Sequence, residues 1–251
     1  MQNEILFLMD SSGSIRASGA DPYQYWQQQI DWVQNFVDQT HRADGSNAYG
    51  IINYSGGSSS QTVQDAAALN RMNLVYGLHN PSTDYHTGNS VSGAQDKASL
   101  DGFIGAMDET DFRGGFTWTT VALNLAQITF NSSTNGANTN KFIFMLTDGN
   151  ISPSQYLPAA PDGSFVSPEL QALQNEGVTI AGVAVKIETS NDIDTINAMI
   201  SDPALLFSVT DSDDFSNFLP AAQVAVPAPP ALALLFGGIA FLAVRRQRSA
   251  A

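Results

Sequence analysis

The fold is decided by the stretch Ile5-Leu6-Phe7-Leu8-Met9-Asp10-Ser11-Ser12-Gly13-Ser14, in which an apolar run leads directly into a polar cluster. A continuous apolar run of this length is typical of a strand buried on both faces, as in a parallel sheet. The polar cluster then falls in the loop at the carboxyl end of the strand. Open α/β sheets build their ligand sites at that end.

Three oxygen-bearing side chains alternate in this loop, namely those of Asp10, Ser12 and Ser14. Their oxygens can converge on one point if Gly13 allows the loop to curl. Ligands made only of oxygen favour Mg²⁺, Mn²⁺ or Ca²⁺ over zinc. The stretch therefore predicts a divalent-cation site, and the alternative is a plain turn in which Asp10 caps a helix.

The composition limits the functions that are open to the chain. It has 251 residues, of which 43% are hydrophobic, enough for the core of one large α/β domain or two small ones. The 24 acidic and 10 basic residues give a net charge of −14, which repels nucleic acid and anionic lipid, so no nucleic-acid role is expected. The absence of cysteine excludes disulfides, zinc-thiolate sites, iron–sulfur clusters and thiol catalysis.

Strand and helix patterns alternate along the chain. Apolar runs predict strands over 5–9, 48–54, 74–78, 141–147, 178–185 and 205–209. Helical spacing and cap signals predict helices over 23–40, 63–72, 92–107, 167–177, 192–200 and 212–219, with another after the threonines at 117–120. This alternation predicts an α/β fold, a doubly wound and mostly parallel sheet with helices on both faces.

Two further polar clusters stand in comparable places. In the segment Arg113-Gly114-Gly115-Phe116-Thr117-Trp118-Thr119-Thr120, a glycine pair is followed by hydroxyls where a helix is predicted to begin. Taken alone, such hydroxyls are ordinary helix caps. Asp148-Gly149 follows the apolar strand over 141–147, and taken alone it is a turn. Asp148 is nevertheless predicted at the same sheet edge as Asp10, and strand and helix patterns separate the three clusters.

Together, Asp-x-Ser-x-Ser after an apolar strand, a Gly-Gly loop with a threonine, and an aspartate after a later strand resemble the metal-ion-dependent adhesion site of von Willebrand factor A domains. The resemblance covers residues 4–219 and implies a domain over 1–219. It implies that Mg²⁺ is the cation, with Mn²⁺ or Ca²⁺ as alternatives. The metal-binding residues that it implies are Asp10, Ser12, Ser14, Thr117 and Asp148, the last directly or through water.

The chain departs from the family pattern at Phe116, because many members run from the glycines directly into the threonine. Alignment on the pair Ala122-Leu123 of the following helix places the metal-binding threonine at Thr117. The departure leaves Thr119 as the fallback ligand.

The resemblance implies a protein-binding module. Neutral hydroxyls leave the charge of the cation incompletely balanced, so a Glu or Asp carboxylate from a protein partner completes the coordination. Specificity is expected in the loops over 15–20, 80–93 and 150–164. The alternatives are a metal-independent structural protein and a metal-assisted hydrolase. Catalysis is disfavoured because the chain has no G-x-S-x-G elbow and no P-loop, and because His41, His79 and His86 lie outside the three clusters.

The last part of the chain has a different character. Pro227, Pro229 and Pro230 cannot continue a helix and mark a linker over 220–230. The segment over 231–251 is predicted to be a hydrophobic helix with a basic tail. As a helix, its uncharged run over 231–244 spans about 21 Å, less than the ~30 Å of a hydrocarbon core.

Val226-Pro227-Ala228-Pro229-Pro230, followed by an apolar helix and arginines, resembles the VPLPA-CTERM/PEP-CTERM class of exosortase sorting signals. Ala and Pro replace the Leu and final Ala of the family motif. The resemblance implies membrane insertion through the helix, with the domain outside, and removal of the tail by an exosortase-type enzyme. The alternative is a permanent membrane anchor.

No secretory signal opens the chain, because Met1-Gln2-Asn3-Glu4 runs straight into the first strand without a basic region or a cleavage site. A sorting tail normally accompanies an export signal. We therefore expect an N-terminal signal to be missing from this chain. The expected location is the bacterial cell envelope before processing, and then the cell surface or extracellular matrix.

Overall fold

The computed structural model of the protein describes residues 2–42, 47–55, 73–76, 97–133, 139–150, 167–210, 214–215 and 218. Its strands are β1 (Gln2–Asp10), β2 (Asn47–Tyr54), β3 (Asn73–Tyr76), β4 (Thr139–Thr147), β5 (Thr179–Ala184) and β6 (Leu206–Ser208). They form one sheet in the order β3-β2-β1-β4-β5-β6.

Five strands of this sheet run parallel, and β3 pairs antiparallel with β2 at one edge. This confirms the predicted α/β fold with a mostly parallel sheet. The strand order reverses between β1 and β4. After β1 the chain continues to β2 on one side of this pair, and after β4 it continues to β5 on the other side. Such a reversal opens a crevice at the carboxyl ends of the strands. Asp10 and Asp148 lie at that crevice, one at the end of β1 and one directly after β4.

The described residues contain five α-helices: α1 (Gln24–Thr40), α2 (Lys97–Ile104), α3 (Thr119–Ser132), α4 (Pro168–Asn175) and α5 (Ser190–Met199). The helix α4 begins as predicted, because the Ser167 hydroxyl accepts the Leu170 amide at 3.0 Å. The pair Asp21-Pro22 predicts that Asp21 caps α1, and this prediction is wrong. Asp21 accepts the Tyr23 amide at 3.0 Å and closes a turn, and the helix begins only at Gln24.

Several predicted features lie outside the described residues. They are the helix over 63–72, most of the helix over 212–219, and the linker and hydrophobic tail over 220–251. The chain divides into two units, Met1–Ser216 and Asn217–Ala251, and the second is almost wholly outside the described part. None of the described helices is long and apolar enough to cross a bilayer.

The central strand β1 supplies both halves of the core, because its side chains alternate between the two faces of the sheet. Leu6 and Leu8 belong to a buried cluster that also contains residues of α3 and α4. Phe7 points to the other face, where its ring lies 5.5 Å from that of Phe36 in α1 and 5.8 Å from that of Phe144 in β4. Helices therefore cover both faces of the sheet, as predicted.

We expect Phe36→Ala to lower the free energy of unfolding by about 3–5 kcal/mol, because the ring is fully buried and its loss leaves a cavity. Its centroid lies 4.6 Å from that of Phe144 and 4.9 Å from that of Phe215. Denaturant unfolding measures the change. Asp31→Ala, on the exposed side of the same helix, is the control and should shift stability by less than about 0.5 kcal/mol. Equal effects of the two variants would contradict this account of the core.

Candidate metal site

The aspartate that ends β1 is buried and held in one orientation. Asp10 is 0% exposed. Its Oδ1 accepts the Ser12 amide at 2.8 Å, and its Oδ2 accepts the Thr147 hydroxyl, also at 2.8 Å. Its main-chain oxygen accepts a hydrogen bond from Gln29 of α1 at 2.9 Å. Each carboxylate oxygen therefore has one fixed partner and retains capacity for a second, such as a cation.

The loop after Asp10 curls as the sequence predicts. A 3₁₀ turn over Gly13–Ile15 brings the hydroxyl oxygens of Ser12 and Ser14 to 3.0 Å from each other. The Ser12 side chain is buried, and that of Ser14 is half-buried. Two hydroxyls thus lie side by side, and both follow closely on the Asp10 carboxylate in the chain.

The Gly-Gly loop docks on the Asp-x-Ser-x-Ser loop through the backbone. Gly13 donates its amide to the Gly115 carbonyl at 2.8 Å, and Gly114 donates to the Ser11 carbonyl at the same distance. Gly114 and Gly115 have φ angles of 64° and 104°, which L side chains rarely adopt. The glycine pair is therefore needed to bring this loop, and the threonines that follow it, against the first loop.

The two candidate threonines have different surroundings. Thr117 is 5% exposed and lies in the loop, whereas Thr119 is 1% exposed and is the first residue of α3. The hydroxyls of Thr119 and Tyr54 are buried without a hydrogen bond of normal geometry. Burial, and then the charge of Asp10, raises the pKa of Tyr54, while the nearby hydroxyls of Thr147 and Thr119 act in the opposite direction. Thr119 therefore adjoins Tyr54, and Thr117 and Thr119 both remain candidate ligands.

Asp148 is the second buried carboxylate of the site, with an exposure of 4%. Its Oδ1 accepts the amide of Asn150 at 2.9 Å. The turn needs glycine at position 149, where φ is 74° and a Cβ would lie 2.4 Å from the Asp192 carbonyl oxygen. Asp148 is therefore fixed at the crevice by a turn that packs against α5.

The electrostatics of the site favour a cation. Burial raises the pKa of Asp10 to about 7, and repulsion from Asp148 adds to the rise, although hydrogen bonds from Ser12 and Thr147 oppose it. Burial likewise raises the pKa of Asp148, against the effects of the Ser14 hydroxyl and, more weakly, of the Lys186 charge. Two carboxylates are thus buried close enough to repel each other, and a bound cation would relieve that repulsion.

The donor set fits a hard divalent cation. It consists of carboxylate and hydroxyl oxygens, which Mg²⁺, Mn²⁺ and Ca²⁺ accept as ligands. In the part of the chain that the structure describes, no three His, Cys, Asp or Glu side chains form a metal-binding group. A cation held here therefore depends on the hydroxyls of Ser12, Ser14 and Thr117 as well as on the carboxylates.

Four residues that support the site were not predicted from the sequence, although three of them have a recognisable position. Thr147 and Tyr54 are the last residues of β4 and β2, at the same sheet edge as Asp10. Gln29 is a polar residue on the buried face of α1. Lys186 follows the end of β5, and nothing in its sequence context marks it. Of the loops predicted to set specificity, 15–20 is described, whereas 80–93 and all of 150–164 except Asn150 lie outside the described residues.

Lys186 ties the end of β5 to the Asp-x-Ser-x-Ser loop. Its ammonium group donates to the carbonyls of Ser14 at 2.7 Å and Arg16 at 3.0 Å. Glu188 forms an ion pair with it at 3.2 Å. Its own φ is 45°, a left-handed conformation that is uncommon for a side chain of this size. The lysine thus holds the loop at Ser14 and Arg16, whereas the Gly-Gly loop holds it at Ser11 and Gly13.

Comparison with known proteins gives a family match. Residues 4–221 match the family model of the von Willebrand factor type A domain. The match confirms the resemblance predicted over 4–219. No curated protein sequence matches the chain.

Solved structures share the fold at low sequence identity. A structure of proximal thread matrix protein 1 from the mussel byssus, with a zinc-occupied MIDAS motif, is 17% identical with a TM-score of 0.53, and covers 88% of this chain and 46% of that chain. The pilus adhesin SpaC from Lactobacillus rhamnosus GG is 14% identical with a TM-score of 0.52, covering 88% and 29%. The type V pili tip protein Mfa5 from Porphyromonas gingivalis is 13% identical with a TM-score of 0.57, covering 86% and 49%. This chain therefore spans less than half the length of each of these chains.

We expect Lys186→Met to loosen the site loop, because a hydrogen bond from a charged donor contributes about 1.5–3 kcal/mol. The Gly13 and Arg16 amides, bonded at 2.8 and 3.3 Å, should exchange with solvent roughly tenfold faster. Hydrogen exchange read by NMR measures this. Methionine matches lysine in length and in the cost of the left-handed backbone. Glu188→Gln, which keeps the ammonium contacts, is the control, and unchanged exchange in Lys186→Met would show that the lysine does not fix the loop.

Proposed function

We infer the function from the family to which the chain belongs, that of von Willebrand factor type A domains. We propose that it is a metal-ion-dependent adhesion module that binds a protein partner at the bacterial cell envelope or in its extracellular matrix. It acts by binding and not by catalysis.

One observation carries the proposal, namely that two buried carboxylates and a pair of hydroxyls meet at the reversal of the strand order. Asp10, Ser12, Ser14 and Thr117 would hold the cation, with Asp148 as a direct or water-mediated ligand. Each of these residues is buried or half-buried, so the site excludes most competing water. The donor set alone accommodates Mg²⁺, Mn²⁺ or Ca²⁺.

The chemistry of the hydroxyls accounts for partner binding. A cation bound here supplies a Lewis-acid position that a partner's carboxylate can fill. Ser12, Ser14 and Thr117 are neutral, so they would hold the cation in place without cancelling its charge. Attraction between that charge and an incoming Glu or Asp is strengthened as the interface excludes water. The partner is therefore a protein with an exposed carboxylate.

Similar proteins support display outside the cell. The matching structures with this fold include a pilus adhesin, a pili tip protein and a byssus matrix protein. The tail over 226–251 resembles an exosortase sorting signal, which would place the domain on the cell surface. A metal-independent structural role is the second candidate, because a matrix protein is among the structural matches. A hydrolase is the weakest, since His41, the histidine in the described part, lies beyond the end of α1 against Tyr49.

Calorimetric titration of the whole chain tests the metal site. We expect Mg²⁺ and Mn²⁺ to bind at one site and Asp10→Ala to weaken binding by roughly 100-fold or more, because a central carboxylate is lost. Ser14→Ala, at a half-buried position, is a second variant that should weaken binding without unfolding the domain. Asp31→Asn, on an exposed face of α1, is the control and should bind as the wild type does. Zn²⁺ belongs in the titration because a similar structure holds zinc at its MIDAS motif.

Two outcomes would contradict the proposal. Unchanged titrations in both Asp10→Ala and Ser14→Ala would remove the metal site from these residues. Protein partners captured from an envelope extract that are retained in EDTA, and by Asp10→Ala, would show that binding does not pass through the metal. The metal-independent structural role would then be preferred.

Mass spectrometry of the mature protein tests the tail. We expect the chain to end near Val226, because a sorting enzyme removes the segment after its motif. A mature chain that still extends to Ala251 would leave only the permanent anchor. Deletion of 227–251 should release the protein from the membrane fraction whether the tail is a sorting signal or a permanent anchor. This variant is therefore the control for membrane insertion by the tail.

A further inference from the structure

Two large apolar side chains are exposed in the part of the chain that the structure describes. Phe116 is 42% exposed and Ile187 is 36% exposed. Each directly follows a residue that bonds to the loop carrying Ser12 and Ser14. Phe116 directly precedes Thr117, and Ile187 directly follows Lys186. Isolated exposed apolar residues are ordinary, but two that each follow a residue bonded to the same site loop point to a contact surface.

Phe116 is held against the site by the backbone. Its neighbour Gly115 accepts the Gly13 amide at 2.8 Å, so the aromatic residue follows directly on the contact between the two loops. The φ angle of 104° at Gly115 turns the chain at that point. Phe116 is also the residue by which this chain departs from the family's glycine-to-threonine pattern.

Ile187 is held from another direction. The ammonium group of Lys186 binds the carbonyls of Ser14 and Arg16, and the amide of Val185 donates to the Thr147 carbonyl at 3.0 Å. The left-handed turn at Lys186 comes immediately before Ile187. The loop that carries Ser12 and Ser14 is thus contacted by two segments, and each presents an exposed apolar side chain next to its point of contact.

An exposed cation lies at the same edge. The guanidinium of Arg16 stands 5.4 Å from the ring centroid of Tyr23 and 5.8 Å from that of Phe112, and it donates to the Tyr23 hydroxyl at 3.1 Å. These contacts hold the charge two residues from Ser14. In a chain of net charge −14, an arginine held here favours the approach of an acidic group to this edge.

We propose that the partner presents a Glu or Asp carboxylate flanked by apolar side chains, which pack on Phe116 and Ile187 while the carboxylate reaches the metal. This inference rests on the proposed function and specifies the chemistry of the partner. Apolar contacts around a central polar contact are the usual arrangement of an interface, and they exclude water from the charged pair. Covering the exposed part of each side chain should strengthen binding by about fivefold.

Synthetic peptides with one central Glu provide the test, measured by NMR titration of the full chain at saturating Mg²⁺. One set flanks the Glu with Leu and Phe, and the other flanks it with Ser. We expect the apolar set to bind wild type at least tenfold more tightly. Phe116→Ser and Ile187→Ser should each reduce that preference about fivefold, whereas Phe116→Leu and Ile187→Val, which keep apolar surface, should retain it.

The outcomes separate this inference from the proposed function. Failure of Mg²⁺ to bind, or equal binding of peptides with Gln in place of Glu, would overturn the function itself. Metal-dependent Glu binding without any preference for apolar flanks would overturn only the partner chemistry. A wild-type chain that self-associates in sedimentation, and that Phe116→Ser makes monomeric, would instead assign the surface to a second copy of this chain and overturn the inference. Calorimetry with Mg²⁺ on the Phe116 and Ile187 variants should give the wild-type affinity, because neither side chain is a proposed ligand.

Discussion

The structure depends on the burial of two like charges, Asp10 and Asp148, at the point where the strand order reverses. Burial raises the pKa of both carboxyls, and repulsion from Asp148 adds to the rise at Asp10. The fold holds them there with hydrogen bonds from neighbouring backbone and hydroxyl groups. A domain stabilised only by its core would gain nothing from this arrangement, because apolar residues could fill the same space. A bound cation would offset the unfavourable free energy of burying the two carboxylates together.

The loops around these carboxylates are fixed to one another through backbone groups. The Asp-x-Ser-x-Ser loop receives the Gly-Gly loop at Gly13 and the end of β5 through Lys186. Both contacts use left-handed backbone, at Gly114, Gly115 and Lys186. Such conformations persist where the surrounding structure determines them. The hydroxyls of Ser12 and Ser14 are consequently positioned before any ligand arrives, which lowers the ordering cost of binding.

The sequence predicted the parts that follow from local pattern. The apolar runs over 5–9 and 141–147 predicted two of the parallel strands, and Ser167 predicted the start of α4. Both signals are encoded within a few residues of the chain. The contacts from Gln29, Thr147 and Lys186 were not predictable in this way. The Thr147 and Lys186 contacts join segments 137 and 172 residues apart, which the strand order brings together. The Gln29 contact depends on how α1 packs on the sheet. The predicted cap of α1 failed for a different reason, since Asp21 makes a local turn that competes with the helix.

The assignment of the metal to specific oxygens is the central claim, and diffraction from crystals grown with Mn²⁺ tests it most directly. Data collected at the manganese absorption edge locate the cation independently of any binding curve. We expect one anomalous peak at the crevice, within coordinating distance of the hydroxyls of Ser12, Ser14 and Thr117 and facing Asp10. A peak beside Thr119 instead of Thr117 would correct one ligand. No peak at the crevice in crystals saturated with Mn²⁺, or a peak elsewhere in the domain, would contradict the account.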